Sequence, residues 1–137
     1  MNKKFRAWDN ESKEYIEYFC IDEDGQVFNN DSCKIWPTLE QWTGLTDKNG
    51  VKIFEGDIVR IHSSFYIEKF NWIIRWDLLN AQFSLARKRI KSPDWGARPD
   101  GYIYFQPSPA NLKKAKIVGN IFDNPDPLNT NSSSQED

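Results

Sequence analysis

Two carboxylates on either side of a glycine are the first residues in this chain that could do chemistry. Glu55 and Asp57 flank Gly56, and the one histidine, His62, follows five residues after Asp57. Such carboxylates can act as acid and base or hold a metal, and a histidine can activate a nucleophile. A turn also needs polar residues beside glycine, and Asp57 can accept hydrogen bonds from nearby backbone amides. We therefore predict a turn, with no catalytic residues and no enzyme activity.

The sequence offers little for a metal or a cofactor. Cys20, Cys33 and His62 cannot form a conventional zinc site without help from carboxylates. The acidic run Asp22–Gly25 lacks the spaced ligands and the distal glutamate of a calcium-binding loop. We expect no metal site and no cofactor. Both cysteines are expected to be free thiols, because the cytosol keeps such pairs reduced.

The charged residues are unevenly distributed along the chain. The formal net charge is −2, so no overall basic field attracts nucleic acid. Between residues 87 and 116, however, eight basic residues stand against two acidic ones, with aromatic residues between them. This pattern is typical of nucleic-acid binding, whereas the alternative is a solvated loop or a contact with an acidic patch of a neighbouring subunit. The candidate nucleic-acid-binding residues are Arg87, Lys88, Arg89, Lys91, Lys113, Lys114 and Lys116.

A second hypothesis is a protein-interaction or self-associating module. Trp95 lies in the irregular segment 93–99, outside any strand pattern, and Trp and Arg are favoured at interface hot spots. The alternative is that Trp95 folds back over the end of a barrel as a lid. The candidate partner-binding residues are Trp95, Arg98, Tyr102 and Tyr104.

Short apolar runs separated by turns must position these side chains. They recur about every eight to twelve residues, which is typical of an all-β sandwich or barrel. We predict a small, partly open barrel or strongly bent antiparallel sheets, with an SH3-like barrel element by analogy. Residues 1–128 are expected to form this domain, and 129–137 a disordered polar tail. Most of the six tryptophans are expected in the core.

Local patterns predict individual elements. Phe70–Asp77 has the strongest strand pattern, and Gln82–Arg87 returns antiparallel to it. Glu14–Ile21 is predicted as one strand, and Thr38–Gln41 as a single helical turn. The run Asp47–Gly50 predicts a hairpin turn, in which glycine supplies the positive φ and aspartate bonds to its own backbone. The candidate structural turn residues are Gly44, Asp47, Gly50, Gly56, Asp57 and Gly119.

Three separated runs resemble the YopX family of small proteins encoded by bacteriophages and prophages. They are Lys4–Asp9, Gln41–Val59 and Ile117–Pro125, which together frame residues 3–128. The segment 86–110 has no counterpart and is interpreted as an insertion or a divergent loop. The resemblance implies a fold and a phage context, and it implies no particular reaction.

These observations lead to one functional expectation and two alternatives. We expect a phage- or prophage-encoded accessory protein that acts as a protein-interaction or oligomerising β module, with a host or phage protein or a second copy as its partner. Nucleic-acid binding through residues 87–116 is the alternative, and a hydrolase is the least favoured class. No apolar stretch is long enough to cross a bilayer. We therefore expect no membrane contact and a location in the host bacterial cytoplasm.

Overall fold

The computed structural model describes residues 4–61, 71–88, 101–106 and 112–124. All twelve elements within these ranges are strands in antiparallel sheets, and one sheet curls into a half-barrel. The predicted all-β class is therefore confirmed. The strands are β1 (Phe5–Asp9), β2 (Glu14–Ile16), β3 (Phe19–Ile21), β4 (Val27–Asn29), β5 (Lys34–Ile35), β6 (Thr38–Thr46), β7 (Lys52–Phe54), β8 (Asp57–Ile61), β9 (Trp72–Asp77), β10 (Gln82–Lys88), β11 (Tyr102–Phe105) and β12 (Ala115–Asn120).

The strands form three sheets. The four-stranded sheet has the order β2-β1-β6-β7, and the three-stranded sheet has the order β3-β4-β5. The five-stranded sheet has the order β11-β10-β9-β8-β12, so the last strand returns to pair with β8. Strands distant in sequence therefore become neighbours, so that β1 pairs with β6 and β12 pairs with β8.

The inner face of the five-stranded sheet carries the main hydrophobic core. Alternate residues of β8, β9 and β10 point to this side, and the sequence places apolar residues at those positions. β7 of the four-stranded sheet covers the same core with one fully buried isoleucine. The buried members are Ile53, Val59, Ile61, Trp72, Ile74, Leu85 and Ala115.

The outer face of the five-stranded sheet is also covered in its centre. Ile58, Ile73 and Ala86 alternate with the inner residues and are buried as well. Because the middle strand is covered on both sides, Trp72–Ile74 is a continuous apolar run instead of a strict alternation.

A second, smaller core joins the four-stranded sheet to the three-stranded sheet. Its buried members are Ala7 of β1, Phe19 of β3 and Val27 of β4, with Leu39 of β6 packed against them. The four-stranded sheet therefore contributes to both cores, through Ala7 on one side and Ile53 on the other.

Two predicted elements were wrong. Thr38–Gln41 is the start of strand β6 and not a helical turn, because its residues pair with β1, as in Leu39 with Ala7. Glu14–Ile21 is two strands that belong to different sheets. In both cases the pairing partner, which the local pattern does not reveal, determines the structure.

The expectation that most tryptophans lie in the core was also wrong for the described residues. Trp8 and Trp72 are buried, whereas Trp36 is 77% exposed and Trp76 is 42% exposed. Trp76 shares the inner face with Trp72, but it stands near the end of β9, where the core no longer covers it. A strand pattern therefore predicted the face correctly and the burial incorrectly.

The predicted turn at Asp47–Gly50 is confirmed. Asp47 Oδ1 accepts hydrogen bonds from the N–H groups of Asn49 and Val51 at 2.8 and 2.9 Å. Gly50 has φ = 82° and donates its N–H to the Asp47 carbonyl oxygen at 3.0 Å. Asp47 Oδ2 also accepts from the Ile117 N–H at 3.3 Å, which ties the turn to the last strand.

The other predicted turn glycines have different roles. Gly44, with φ = 91°, lies within β6 where the register against β7 shifts. Gly56 does lie in a turn, between β7 and β8, with φ = 90°. Gly119 lies within β12 beside a second register shift, and a Cβ there would overlap Asn124 Oδ1. Its role is close approach rather than a turn.

Several predictions concern residues outside the described ranges. These are the roles of His62, Arg89, Lys91, Trp95 and Arg98, and the expected tail 129–137. Cys20 and Cys33 are described, and both are exposed free thiols. In the described part of the chain, no helix is long and apolar enough to cross a membrane.

Candidate functional site

Arg6 on β1 ties the four-stranded sheet to the five-stranded sheet. Its Nε donates to Glu40 Oε1 at 2.7 Å, and its Nη2 donates to Asp57 Oδ1 at 2.7 Å. Arg6 and Glu40 are cross-strand partners, whereas Asp57 begins β8 in the other sheet. The Tyr15 hydroxyl donates to the same Glu40 oxygen at 2.8 Å. We call Arg6, Tyr15, Glu40 and Asp57 the charged junction.

An aromatic ring and a glycine enclose the charged junction. The Arg6 guanidinium lies 4.8 Å from the centroid of the Phe54 ring. The Phe54 N–H donates to Asp57 Oδ2 at 2.8 Å, so Asp57 holds both the turn and the arginine. Gly56 approaches so closely that a Cβ would overlap Glu40 Oε2. The positive φ and this contact together require glycine here.

Burial dominates the electrostatics of the charged junction. Desolvation raises the pKa of Asp57 and of Glu40, and the attraction of Arg6 offsets only part of this effect. Burial by itself lowers the pKa of Arg6, but Asp57 and then Glu40 outweigh it and raise that pKa. Burial also raises the pKa of Tyr15. One guanidinium faces two carboxylates, so the junction is negatively charged when both are ionised.

The paired carboxylates of the sequence do not converge. Asp57 points to Arg6, whereas Glu55 lines a cleft that also contains Gly56. Among the described residues, no group of three or more His, Cys, Asp or Glu side chains could hold a metal ion. The members of the charged junction form hydrogen bonds with one another, which is consistent with a structural role in joining the two sheets.

Sequence reasoning did not find Arg6, Tyr15 or Glu40. Each is a polar residue within a strand, and Arg6 stands beside Phe5 while Glu40 follows Leu39 in the same alternation. A charged residue that alternates with apolar ones along a strand is ordinarily expected on a solvent-exposed face, so the local pattern gave no signal of a buried ion pair. Its partner cannot be named until the pairing of the strands is known.

Three basic side chains, an asparagine and a tyrosine form a row across the outer face of the five-stranded sheet. The two lysines of the row are exposed, Arg60 is partly buried and Asn71 is buried. The register pairs Lys116 with Arg60, and Lys88 with Tyr102. Continuing the registers of β9 with its two neighbours places Asn71 between Arg60 and Lys88. Neighbouring strands are about 4.8 Å apart, so the row crosses five strands over roughly 19 Å. We call Lys116, Arg60, Asn71, Lys88 and Tyr102 the basic row.

The structure brings together part of the predicted nucleic-acid-binding set. Lys88 and Lys116 lie on the basic row and are exposed. Lys113 and Lys114 are exposed and directly precede β12, at the same end of the sheet. Arg87 alternates to the inner face and does not join them. The predicted residues outside the described ranges are Arg89 and Lys91.

Tyr102 and Tyr104, predicted to bind a partner, share the outer face with Arg75. The Arg75 guanidinium lies 4.0 Å from the Tyr102 ring centroid, and its Nε donates to the Tyr104 hydroxyl at 3.1 Å. The two tyrosine rings are 6.4 Å apart between centroids. Arg75 is therefore a further site residue that the sequence did not reveal. The other predicted partner-binding residues, Trp95 and Arg98, lie outside the described ranges.

A cleft of about 390 Å³ lies between this outer face and β6. Arg75, Lys88 and Tyr102 line it from the five-stranded sheet, and Glu40 and Glu55 contribute carboxylates. Its volume is within the range of small-ligand sites. The cleft therefore combines cations, carboxylates and an aromatic ring around one opening.

The C-terminal run forms another side of the cleft. Phe122 lines it and stacks on Trp8, with ring centroids 4.4 Å apart and an interplanar angle of 4°. The Ile121 N–H donates to the Gly56 carbonyl oxygen at 3.0 Å. The three runs that carry the family resemblance therefore meet around the cleft and the charged junction.

The opposite end of the five-stranded sheet exposes large apolar side chains. Leu78 and Leu79, in the turn between β9 and β10, are 82% and 77% exposed. Trp76 and Leu45 border a groove of about 300 Å³ beside this turn. We call Leu45, Trp76, Leu78 and Leu79 the apolar end.

The tip of the β9–β10 hairpin, residues 76–86, presents no charged side chain to solvent. Asp77 is the one charged residue between 76 and 86, and it is fully buried. Its Oδ1 accepts hydrogen bonds from the backbone N–H groups of Leu79 and Asn80. Asp77 therefore shapes the turn from inside and leaves the leucines on the surface.

Comparisons with known proteins give one family match and one structural match. The family model described as YopX protein matches residues 4–129. Among solved structures, protein EF1440 from Enterococcus faecalis is 22% identical, with 89% of this chain and 94% of that chain covered and a TM-score of 0.45. No curated protein sequence matches significantly.

Proposed function

This chain belongs to the YopX family, and we propose that it is an accessory protein that acts by binding, with self-association through the apolar end as its main interaction. The observation that carries the proposal is the uncharged, exposed tip of the β9–β10 hairpin. Leu78 and Leu79 are more than three-quarters exposed there. Exposed apolar patches of this kind mark interaction sites.

The absence of exposed charge between residues 76 and 86 favours a second copy as the partner. In a two-fold contact the same patch lies on both sides, so a charged side chain near the axis would meet its own copy. An uncharged tip avoids this repulsion. Two leucines from each copy can then bury one another, and burial of a leucine side chain contributes about 1.5–3 kcal/mol.

A role in binding also agrees with the arrangement of the ionisable groups. Glu55 and Asp57 face different neighbours, and Asp57 is engaged by Arg6 and the Phe54 N–H. This divergence supports a protein without a catalytic role. A bacteriophage or prophage origin and action in the host cytoplasm, which the family resemblance implies, are part of the same proposal.

Sedimentation equilibrium tests the proposal. We expect the wild-type chain to form dimers in the micromolar range, and Leu78→Ser/Leu79→Ser to weaken dimerisation at least a hundredfold. Both leucines are exposed, so the substitutions should change the free energy of unfolding by no more than about 0.5 kcal/mol.

The matched control is Tyr18→Ser/Val51→Ser, which removes two apolar side chains that are each 53% exposed elsewhere on the surface. The control should dimerise like the wild type. A wild-type chain that stays monomeric at concentrations 100-fold above the micromolar range would overturn the proposal. Equal weakening of dimerisation by both double variants would overturn it as well.

A further inference from the structure

We infer that the basic row binds single-stranded nucleic acid, with phosphates on its cations and a base in the adjoining cleft. The basic row lies at the end of the five-stranded sheet opposite to the apolar end. The inference is therefore independent of self-association, and each can fail without the other.

The cations of the basic row are spaced along a line. Lys116 and Lys88 are exposed and lie three strand spacings apart, about 14 Å, whereas Arg60 between them is partly buried and Asn71 is buried. Lys113 and Lys114 extend the positive charge before β12. The exposed lysines can contact separate phosphates of a backbone that crosses the strands, and single-strand sites of this kind span about 4–16 nucleotides.

The cleft supplies the surfaces that a base needs. The Arg75 guanidinium lies over the Tyr102 ring, with its Cζ 4.0 Å from the ring centroid. Bases stack on aromatic rings and on guanidinium planes. Glu55 in the same cleft repels phosphate, whereas its carboxylate can accept a hydrogen bond from the amino group of a base. The cleft therefore favours a base, and the exposed lysines beside it favour the backbone.

An unpaired strand fits this arrangement better than a duplex does. In a duplex the bases are stacked on each other, so Tyr102 and Arg75 could not reach their faces. A duplex would contact only the cations. The aromatic contribution therefore predicts preference for the single strand, with little dependence on sequence because every base has a stacking face.

The low net charge of the chain conceals a local basic face. Residues 9–31 contain eight carboxylates and one lysine, and they contribute to the four-stranded and three-stranded sheets. Nucleic acid can therefore meet the five-stranded sheet on its cationic side. The acidic segment of another copy is a competing partner for the same cations, and it would leave no oligonucleotide binding.

Fluorescence anisotropy with a labelled 12-nucleotide thymidine strand tests the inference. We expect binding at 50 mM salt that weakens at 200 mM, and weaker binding to a mixed-sequence duplex of equal length. Lys88→Gln/Lys116→Gln should weaken single-strand binding about tenfold, and should reduce the slope of log K against log salt by about 1.4, since each phosphate contact contributes about 0.7.

The matched control also removes two positive charges, one within the acidic segment 9–31 and one just after it. Lys13→Asn/Lys34→Gln changes two exposed lysines, and asparagine tolerates the positive φ of 63° at position 13. This control should bind within twofold of the wild type. Thermal unfolding of both double variants verifies that they are folded.

A stacking substitution separates the base contact from the phosphate contact. Tyr102→Leu should weaken binding of the single strand about tenfold and leave duplex binding unchanged, because only an unpaired base can stack there. A purely structural role of Tyr102 would weaken both equally.

Three results would overturn the inference. They are absence of binding at 50 mM salt, tighter binding of the duplex than of the single strand, and equal losses in the basic-row variant and its control. The same titration on Leu78→Ser/Leu79→Ser should still show single-strand binding, which keeps the inference distinct from self-association.

Discussion

The two ends of the five-stranded sheet are built from the same strands and present opposite chemistry. At one end Lys116, Arg60 and Lys88 form a line of cations on the outer face. At the other end Leu78 and Leu79 project from a turn without an exposed charged neighbour between residues 76 and 86. Strand alternation decides the face on which a side chain lies, whereas position along the strand decides the end. One packed sheet can therefore carry two separate contact surfaces.

Both ends depend on one support. The charged junction fixes the start of β8 to the four-stranded sheet through Arg6 and Asp57. β8 then supplies Arg60 to the basic row and, through its pairing with β9, positions the strand that leads to the apolar end. Substitutions in the junction should therefore affect both ends, and substitutions at one end should affect that end alone.

The largest effect is expected from Arg6→Leu, which removes the shared support. It leaves Glu40 and Asp57 buried without their cation, and breaking a buried ion pair in this way costs about 3–5 kcal/mol. Urea unfolding measures the loss, with Lys34→Leu as an exposed cation control that should change stability by no more than about 0.5 kcal/mol. An Arg6→Leu protein as stable as the wild type would show that the junction does not support the two ends.

Gly56→Ala should cost about 3 kcal/mol. Its φ of 90° alone costs a non-glycine residue about 1–2 kcal/mol, and the new Cβ would also displace the buried Glu40 carboxylate. Gly25→Ala is the matched control, because Gly25 has φ = 82° and open space around a Cβ. It should lose only about 1–2 kcal/mol. Equal losses in urea unfolding would count against the close contact with Glu40.

Asp77→Ala should disturb the apolar end and spare the basic row. Asp77 is fully buried and accepts hydrogen bonds from the Leu79 N–H at 3.1 Å and from Gln106 Nε2 at 3.1 Å. Loss of these bonds should cost about 2–3 kcal/mol and weaken dimerisation, because the leucines lose their fixed position. Oligonucleotide affinity at a temperature where the variant is folded should stay within twofold. A parallel loss of that affinity would show that the two ends are not independent.

A change of pH should alter the contributions of Glu40 and Asp47 to the free energy of unfolding in opposite directions. The pKa of Glu40 is raised by burial, so its contribution to stability is complete below its ordinary pKa of 4.5 and falls as pH rises through the folded value. Burial by itself raises the pKa of Asp47, but the Val51, Ile117 and Asn49 N–H groups outweigh it and lower that pKa. Its contribution is present above the ordinary value of 3.8 and falls as pH drops through the folded value.

Urea unfolding of Glu40→Gln and Asp47→Asn between pH 3 and 7 measures this contrast. The stability difference between wild type and Glu40→Gln should shrink as pH rises, and that between wild type and Asp47→Asn should shrink as pH falls. If both stability differences rise with pH, or both fall, the opposite directions of the Glu40 and Asp47 pKa shifts are contradicted.

The sequence predicted the fold class, most strands and the Asp47–Gly50 turn, because these follow from alternation and turn chemistry within a few residues. It placed Lys88 and Lys116 in the candidate nucleic-acid-binding set and Tyr102 in the candidate partner-binding set, and the structure brings all three to one row. The sequence could not identify Arg60 as a member of the row, because its neighbours there come from strands distant in the sequence.

The remaining errors have the same physical origin. Thr38–Gln41 became a strand because β1 lies beside it, and Arg87 left the predicted set because alternation turns it to the inner face. Arg6 is hydrogen-bonded to Glu40, which is 34 residues away in the sequence, and to Asp57, which is 51 residues away. Interactions over such separations depend on the pairing of strands, which no local pattern contains.

Cysteine cross-linking at the apolar end tests the central claim most directly. In a Cys20→Ser/Cys33→Ser background, which removes the two exposed thiols, Leu79→Cys places one thiol at the tip of the β9–β10 hairpin. Asn49→Cys places one at the exposed tip of the β6–β7 turn as a control. We expect rapid formation of disulfide-linked dimers from Leu79→Cys and little from Asn49→Cys under mild oxidation. Equal cross-linking at both positions, or none at Leu79→Cys, would contradict it.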